Sequence, residues 1–198
     1  MAITFSIDQA ALSLVLDNEG NRVLGTAFSF IRPNWVVTAK HVAFVDGLPR
    51  RQLLISAFKR PSIRASVLFA HPQVDLAVLS VESDLCPRPL FPAHHSLSGG
   101  SGLICAGYAP SKSAPGDPAV LYFNEISSFT TEIRDRGVLS EEMIVFDAPF
   151  SEGGHSGGPI FGVGGGVVGA IIQNFYLGSL LRARGTSLAP IVSHLTFA

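Results

Sequence analysis

The chain predicts an all-β fold, a sandwich or barrel. Its segments are short, rich in Val, Ile, Phe and Thr, and bounded by clusters of Gly, Pro, Asn and Asp. Few stretches have the length and spacing of an amphipathic helix. A Pro-rich passage near the middle, Cys86-Pro87-Arg88-Pro89-Leu90-Phe91-Pro92, cannot sit inside a sheet and reads as a crossing between two β-rich halves.

In chain order, Ser13–Leu16 and Val23–Ile31 flank Asp17-Asn18-Glu19-Gly20-Asn21-Arg22, whose residues tolerate the tight conformations of a hairpin turn. Trp35–Ala39, Leu53–Phe58, Ser62–Ala70 and Asp75–Val81 continue the strand series. After the crossing, Gly102–Tyr108, Val120–Phe129, Met143–Asp147, Pro159–Phe161 and Val167–Ile172 are the clearest strands. The Ser, Gly and Pro content of Ala109–Pro118 predicts a loop, and Pro190 is placed to open a short C-terminal helix through Leu195. The division expected is an N-terminal half over 1–95 and a C-terminal half over 96–198, together forming one functional unit.

With 198 residues and 47% hydrophobic content the chain can bury a substantial core. A formal net charge of −1 gives no reason to expect nucleic acid, and the run Arg50, Arg51, Lys59, Arg60 and Arg64 reads as solvated surface. No window approaches the roughly 18 consecutive apolar residues of a membrane span, so no membrane partner is expected. The first residues lack a basic start and a small-residue cleavage site. Cys86 and Cys105 each lie in apolar or proline-flanked surroundings and read as buried free thiols. A cytoplasmic setting is the expectation.

The chemistry is concentrated in Gly154-His155-Ser156-Gly157-Gly158-Pro159, a serine between glycines whose backbone can approach a substrate closely. As a pattern it fits both the nucleophile elbow of α/β-hydrolases and the serine loop of chymotrypsin-fold enzymes. The hydrolase order places an acid after the serine, and residues 157–198 contain no Asp or Glu. The other order is histidine, acid, serine. It is present: Thr38-Ala39-Lys40-His41-Val42 follows the apolar Trp35-Val36-Val37, and Asp75-Leu76-Ala77-Val78-Leu79 follows later.

These three segments, in this order, resemble the signature segments of trypsin-like (chymotrypsin-fold) serine proteases. The resemblance runs from Gly25-Thr26-Ala27-Phe28 to Ala189-Pro190-Ile191. It implies two antiparallel six-stranded β-barrels with a short C-terminal helix. His41 and Asp75 would come from the first barrel and Ser156 from the second, meeting in the cleft between them. Ser156 would attack, His41 would accept and return the proton, and Asp75 would hold the imidazole in the required tautomer. The N–H groups of Gly154 and Ser156 would form the oxyanion hole. No cofactor or metal is implied, and the partner would be a protein or peptide substrate.

His155 departs from trypsin, where an aspartate at this place pairs with the ammonium released by zymogen cleavage. Bacterial HtrA-type and V8-type peptidases also lack that aspartate, and the resemblance implies a stand-alone domain of that kind, without a PDZ domain. Lys40 and Asp147-Ala148 resemble those groups as well. The side chain of His155 should point away from the reacting atoms, since it adjoins the nucleophile. Gating by a partner or substrate that orders Ala109–Pro118 and Phe150–Gly153 is the expected form of control.

For specificity, Phe150 would lie at the floor of the S1 pocket, which argues against basic P1 residues. Enzymes that cut after Glu or Gln carry a histidine on the strand here read as Gly169–Gln173, and this chain has none. A small or medium apolar P1 residue is left, with Ile172, Gln173 and Asn174 lining the wall and Glu152 and Arg182 as neighbours. The alternative reading is a protease-fold binding module with a latent triad.

Overall fold

The computed structural model describes residues 8–57, 60–93, 102–109, 120–126, 129–136, 139–147, 153–162, 164–177 and 179–195. A 3-10 turn, Gln9–Ala11, leads into β1 (Leu12–Leu16), β2 (Val23–Phe30), β3 (Arg32–Thr38), the one-turn helix α1 (Lys40–Ala43) and the small hairpin β4 (Phe44–Val45) and β5 (Leu48–Pro49). Three longer strands complete this half: β6 (Leu53–Ala57), β7 (Ile63–Ala70) and β8 (Ala77–Val81). All neighbours are antiparallel, and β6 pairs back onto β1, closing a barrel in the order β1-β2-β3-β8-β7-β6.

Local chemistry explains several of these elements. In the β1–β2 turn the Asp17 carboxylate accepts the N–H groups of Asn21 and Arg22 at 3.0 and 3.3 Å, and Gly20 takes φ +74°. Asp46 and Gly47 both have positive φ, which gives the β4–β5 hairpin the backbone twist of a type I′ turn. Strand β6 alternates buried and half-buried residues, as a barrel wall with one face inward should. Strand β2 is instead fully buried from Gly25 onward. Ala27 faces the first barrel's interior, whereas Phe28 and Phe30 belong to a core shared with the second half.

The second half contains β9 (Leu103–Ala109), β10 (Val120–Ile126), β11 (Phe129–Arg136), β12 (Leu139–Asp147), β13 (Pro159–Phe161), β14 (Val167–Leu177), β15 (Leu180–Ser187) and the helix α2 (Ala189–Leu195). It forms a seven-stranded antiparallel sheet in the order β10-β9-β13-β14-β15-β12-β11. The all-β fold stands, but this half has one strand more than expected. Among the described residues its end strands β10 and β11 do not pair with each other. The stretch Val120–Phe129 holds the whole of β10 and the first residue of β11, whose Thr130, Thr131, Glu132 and Ile133 are exposed.

The Pro-rich crossing makes single bridges rather than a strand. Leu90 donates to Ser29 and accepts from Ile31, while Val167 donates to Phe91 and accepts from Ala93. Beneath it lies the shared core, with Phe28, Phe30, Trp35, Val37, Leu76 and Val78 from the first half against Ala106, Tyr108, Phe161, Val167, Leu188 and Ile191 from the second. Smaller clusters fill the first barrel, around Val36, Leu53, Ile55 and Leu79, and the second sheet, around Leu103, Cys105, Ile144 and Phe146.

Because the largest core is common to both halves, they should unfold together. Trp35 reports on the shared core, and Cys105, 5% exposed with its thiol pushed up to about 12 by burial, reports on the second sheet. Urea titrations followed by Trp fluorescence and by thiol accessibility should give coincident transitions. Two separated midpoints would show independent halves.

Candidate active site

His41 sits on α1, directly after β3 delivers Thr38 and Ala39 into the barrel wall. Its position is set by the loop before β8. The His41 N–H donates to Asp75 Oδ1 at 2.9 Å, and His41 Nδ1 lies 2.7 Å from Asp75 Oδ2. Bonding at Nδ1 is the arrangement that leaves Nε2 free as a base. Lys40 adds its own N–H to the Asp75 carbonyl at 3.2 Å and its Nζ to the His71 carbonyl at 3.0 Å. Burial pulls the Asp75 carboxyl up. The hydrogen bond and charge of the His41 ring, with backbone N–H donation, outweigh it and hold the group below its ordinary 3.8.

Ser156 comes from the other half, on the turn between β12 and β13. Gly154 and Gly157 take φ of +105° and +87°, which side chains with a Cβ rarely adopt. The turn is fastened within its own sheet by Gly157 N–H to Ile171 O at 2.7 Å and Gly158 N–H to His155 O at 2.9 Å. Among the described residues the N–H groups of Gly154 and Ser156 meet no acceptor, although both residues are only half-buried.

The turn is also fastened to the first barrel, at Thr26 of β2. The Thr26 N–H donates to Ser156 O at 2.8 Å, and its hydroxyl donates to Gly154 O at 2.7 Å while accepting the Tyr108 N–H at 2.8 Å. The Thr26 carbonyl accepts the Thr38 hydroxyl at 2.7 Å. Gly157 lies against this network so closely that a Cβ there would fall 2.1 Å from Thr26 O and 2.3 Å from Thr38 Oγ1. A Cβ on Gly25 would meet both Ser156 O and Val42 Cγ2 at 2.7 Å. The serine and the residue after His41 therefore crowd the same glycine.

His155 is buried and turned onto the second sheet. Its ring packs edge-on against Tyr122, with centroids 6.1 Å apart, and leaves no room for a Cβ on Gly107. Of the residues assigned to the pocket wall, Ile172 is the extra residue of a bulge between Ile171 and Gln173, and its side chain packs on the first-barrel cluster that includes Val42 and Ala43. Gln173 is exposed opposite Arg184, and Asn174 is half-buried opposite the fully buried Ala183. Arg182 lies on the opposite face from Ala183, where its Nε meets Asp147 Oδ1 at 2.9 Å. Phe150, Glu152 and nearly all of Ala109–Pro118 lie outside the described residues.

The residues that sequence reasoning missed are Thr26, Thr38 and His71. A threonine in a strand is ordinary, and only the chain opposite reveals its load. His71 carried a usable hint, since His-Pro four residues before an acid is a turn pattern.

A family model of the trypsin-like peptidase domain matches residues 25–169. No curated protein matches the sequence. Among solved structures, the active form of the Rv3671c protease from M. tuberculosis aligns with TM-score 0.70 at 22% identity, over 95% of this chain and 80% of that one. The MamO protease domain from Magnetospirillum magneticum aligns with TM-score 0.70 at 17% identity, over 94% and 96%. The HtrA-type protease AlgW, solved with a decapeptide, aligns with TM-score 0.68 at 17% identity, over 95% of this chain and 64% of that one. These likenesses show a common fold.

A carboxyl held below 3.8 in the fold is protonated more readily in the unfolded chain. The stabilisation from Asp75 is therefore complete above 3.8 and fades as pH falls through the lower folded value. In denaturant titrations below pH 3.8, Asp75→Asn should lose stability less steeply with falling pH than the parent protein. Identical slopes would show that the carboxyl is not held by His41.

Proposed function

The chain belongs to the trypsin-like peptidase family and is a serine protease, and we propose that it cleaves internal peptide bonds through Ser156, His41 and Asp75. The observation that carries this reading is the short contact between His41 Nδ1 and Asp75, with the Ser156 turn fastened to the same barrel through Thr26.

In the proposed reaction the Ser156 hydroxyl attacks the scissile carbonyl while His41 Nε2 takes its proton. The oxyanion of the tetrahedral intermediate is received by the N–H groups of Gly154 and Ser156, whose lack of acceptors within the described residues suits the task. His41 then returns the proton to the departing amine, leaving an acyl-enzyme that water hydrolyses by the same route. Asp75 keeps the proton on Nδ1 and stabilises the imidazolium.

His155 offers no acid to a newly exposed N-terminus, so trypsin-style cleavage does not control this site. Ordering of the site loops by substrate or a protein partner takes its place. For the substrate, a small or medium apolar P1 residue is proposed. Of the residues assigned to the pocket wall, Asn174 is half-buried and carries no net charge.

A fluorophosphonate probe should label the protein, and Ser156→Ala should abolish labelling. Asp75→Asn should slow it by as much as about 10⁴-fold, the loss found when the acid of such a triad becomes an amide. A parent protein inert to the probe, with candidate partners present, would instead indicate a binding module on a protease fold. Digestion of a peptide library should yield cuts after small or medium apolar residues, and dominant cleavage after Lys, Arg or Glu would refute the P1 assignment.

A further inference from the structure

We infer that His71 is a positioning residue for the reaction: its imidazole serves as the hydrogen-bond acceptor that shapes the loop presenting Asp75 to His41. The inference rests on the triad reading above and adds to it a residue outside the triad.

His71 is 6% exposed and stands at the end of β7, four residues before Asp75. Its Nδ1 accepts two backbone N–H groups, from Gln73 at 3.2 Å and Val74 at 3.0 Å. A nitrogen that accepts both carries no proton, so the ring is the neutral Nε2–H tautomer. The His71 N–H donates to Leu76 O at 3.0 Å, and the Leu76 N–H donates to Val74 O at 2.8 Å. Pro72, within the loop, has no N–H to satisfy. His71 thus closes both ends of the segment that contains Asp75.

The same residue ties this segment to the helix bearing His41. Its carbonyl accepts Lys40 Nζ at 3.0 Å, and the Pro72 carbonyl lies 3.5 Å from that ammonium. Lys40 is held in turn over the Phe44 ring, 5.8 Å from its centroid. Asp75 and His41 are therefore joined directly, by the 2.7 Å side-chain contact and by the N–H groups of His41 and Lys40 on Asp75, and indirectly by a path through the His71 carbonyl and Lys40 Nζ. The pattern is that of an Asx turn, in which a side-chain acceptor one bond beyond Cγ captures the N–H groups two and three residues on. Imidazole Nδ1 occupies the place of an asparagine Oδ1. The ring itself packs edge-on to Phe69, with centroids 6.3 Å apart.

This separation of acceptor from ring makes the inference testable. His71→Asn keeps the acceptor and removes the ring; His71→Phe keeps a ring and removes the acceptor. Two quantities are measured on the full chain: the second-order rate of fluorophosphonate labelling, and the far-downfield NMR resonance of the proton between His41 and Asp75. His71→Asn should label within about threefold of the parent and retain the resonance, whereas His71→Phe should lose about tenfold or more, since a misplacement of about 1 Å can cost about a hundredfold, and lose the resonance. An intact rate and resonance in His71→Phe would overturn the inference, and so would equal losses in both variants, which would assign the effect to ring packing. Should His71→Phe fail to fold, His71→Leu removes the acceptor with a smaller apolar side chain; it should slow labelling and lose the resonance in the same way, and parent-like behaviour would overturn the inference. Labelling that survives Ser156→Ala would overturn the triad reading itself, a separate result.

Discussion

The Ser156 turn lies on β2 with nothing between the two backbones. A Cβ on Gly157 would sit 2.1 Å from the Thr26 carbonyl oxygen, well inside contact distance, so the approach is possible only with glycine there. Thr26 uses its N–H, carbonyl and hydroxyl in this one place, binding Ser156, Gly154, Tyr108 and Thr38. Each of those groups is buried or half-buried and would be costly to leave unpaired. The serine turn is covalently part of the second sheet and mechanically part of the first barrel. The shared core around Phe28, Phe161 and Leu188 holds the two halves together, and Thr26 sets their alignment at the site.

The histidine side of the site is built differently. His41 and Asp75 come from adjacent strands of one barrel, since β3 and β8 pair with Thr38 opposite Ala77. Their relative position needs no contribution from the other half. The demand there is local: a one-turn helix and a six-residue loop must be stiff enough to hold a 2.7 Å contact that is about half exposed to solvent on the histidine side. Lys40 and His71 supply that stiffness through main-chain carbonyl and amide groups. The charge of Asp75 is then favoured by the groups that position it.

Legibility in the sequence follows from where the stabilising interactions lie. Leu53–Ala57 could be read because its alternation reflects one buried face, and the Asp17–Arg22 turn because its carboxylate and glycine act within a few residues. Strands β11 and β15 carry no such local signal. The first is a polar edge, and the second carries Arg182, Arg184 and Gly185, residues that favour a strand only because β12 and β14 flank them with open hydrogen-bonding edges. Strand β14 runs past the expected end at Ile172 to Leu177, and the signal stops there for a related reason: a bulge breaks its period and turns Ile172 toward the first barrel.

The sequence by itself determined the β character of the chain, the order histidine, acid, serine, and the glycines around Ser156, because these depend on residue type and near neighbours. Only the tertiary structure decided that the second half is a seven-stranded sheet and that Thr26 grips the serine turn. Thr26 and Gly154 are 128 residues apart along the chain. A hydrogen bond over that separation is specified by the packing of two whole sheets, and no local pattern of side chains carries a record of it.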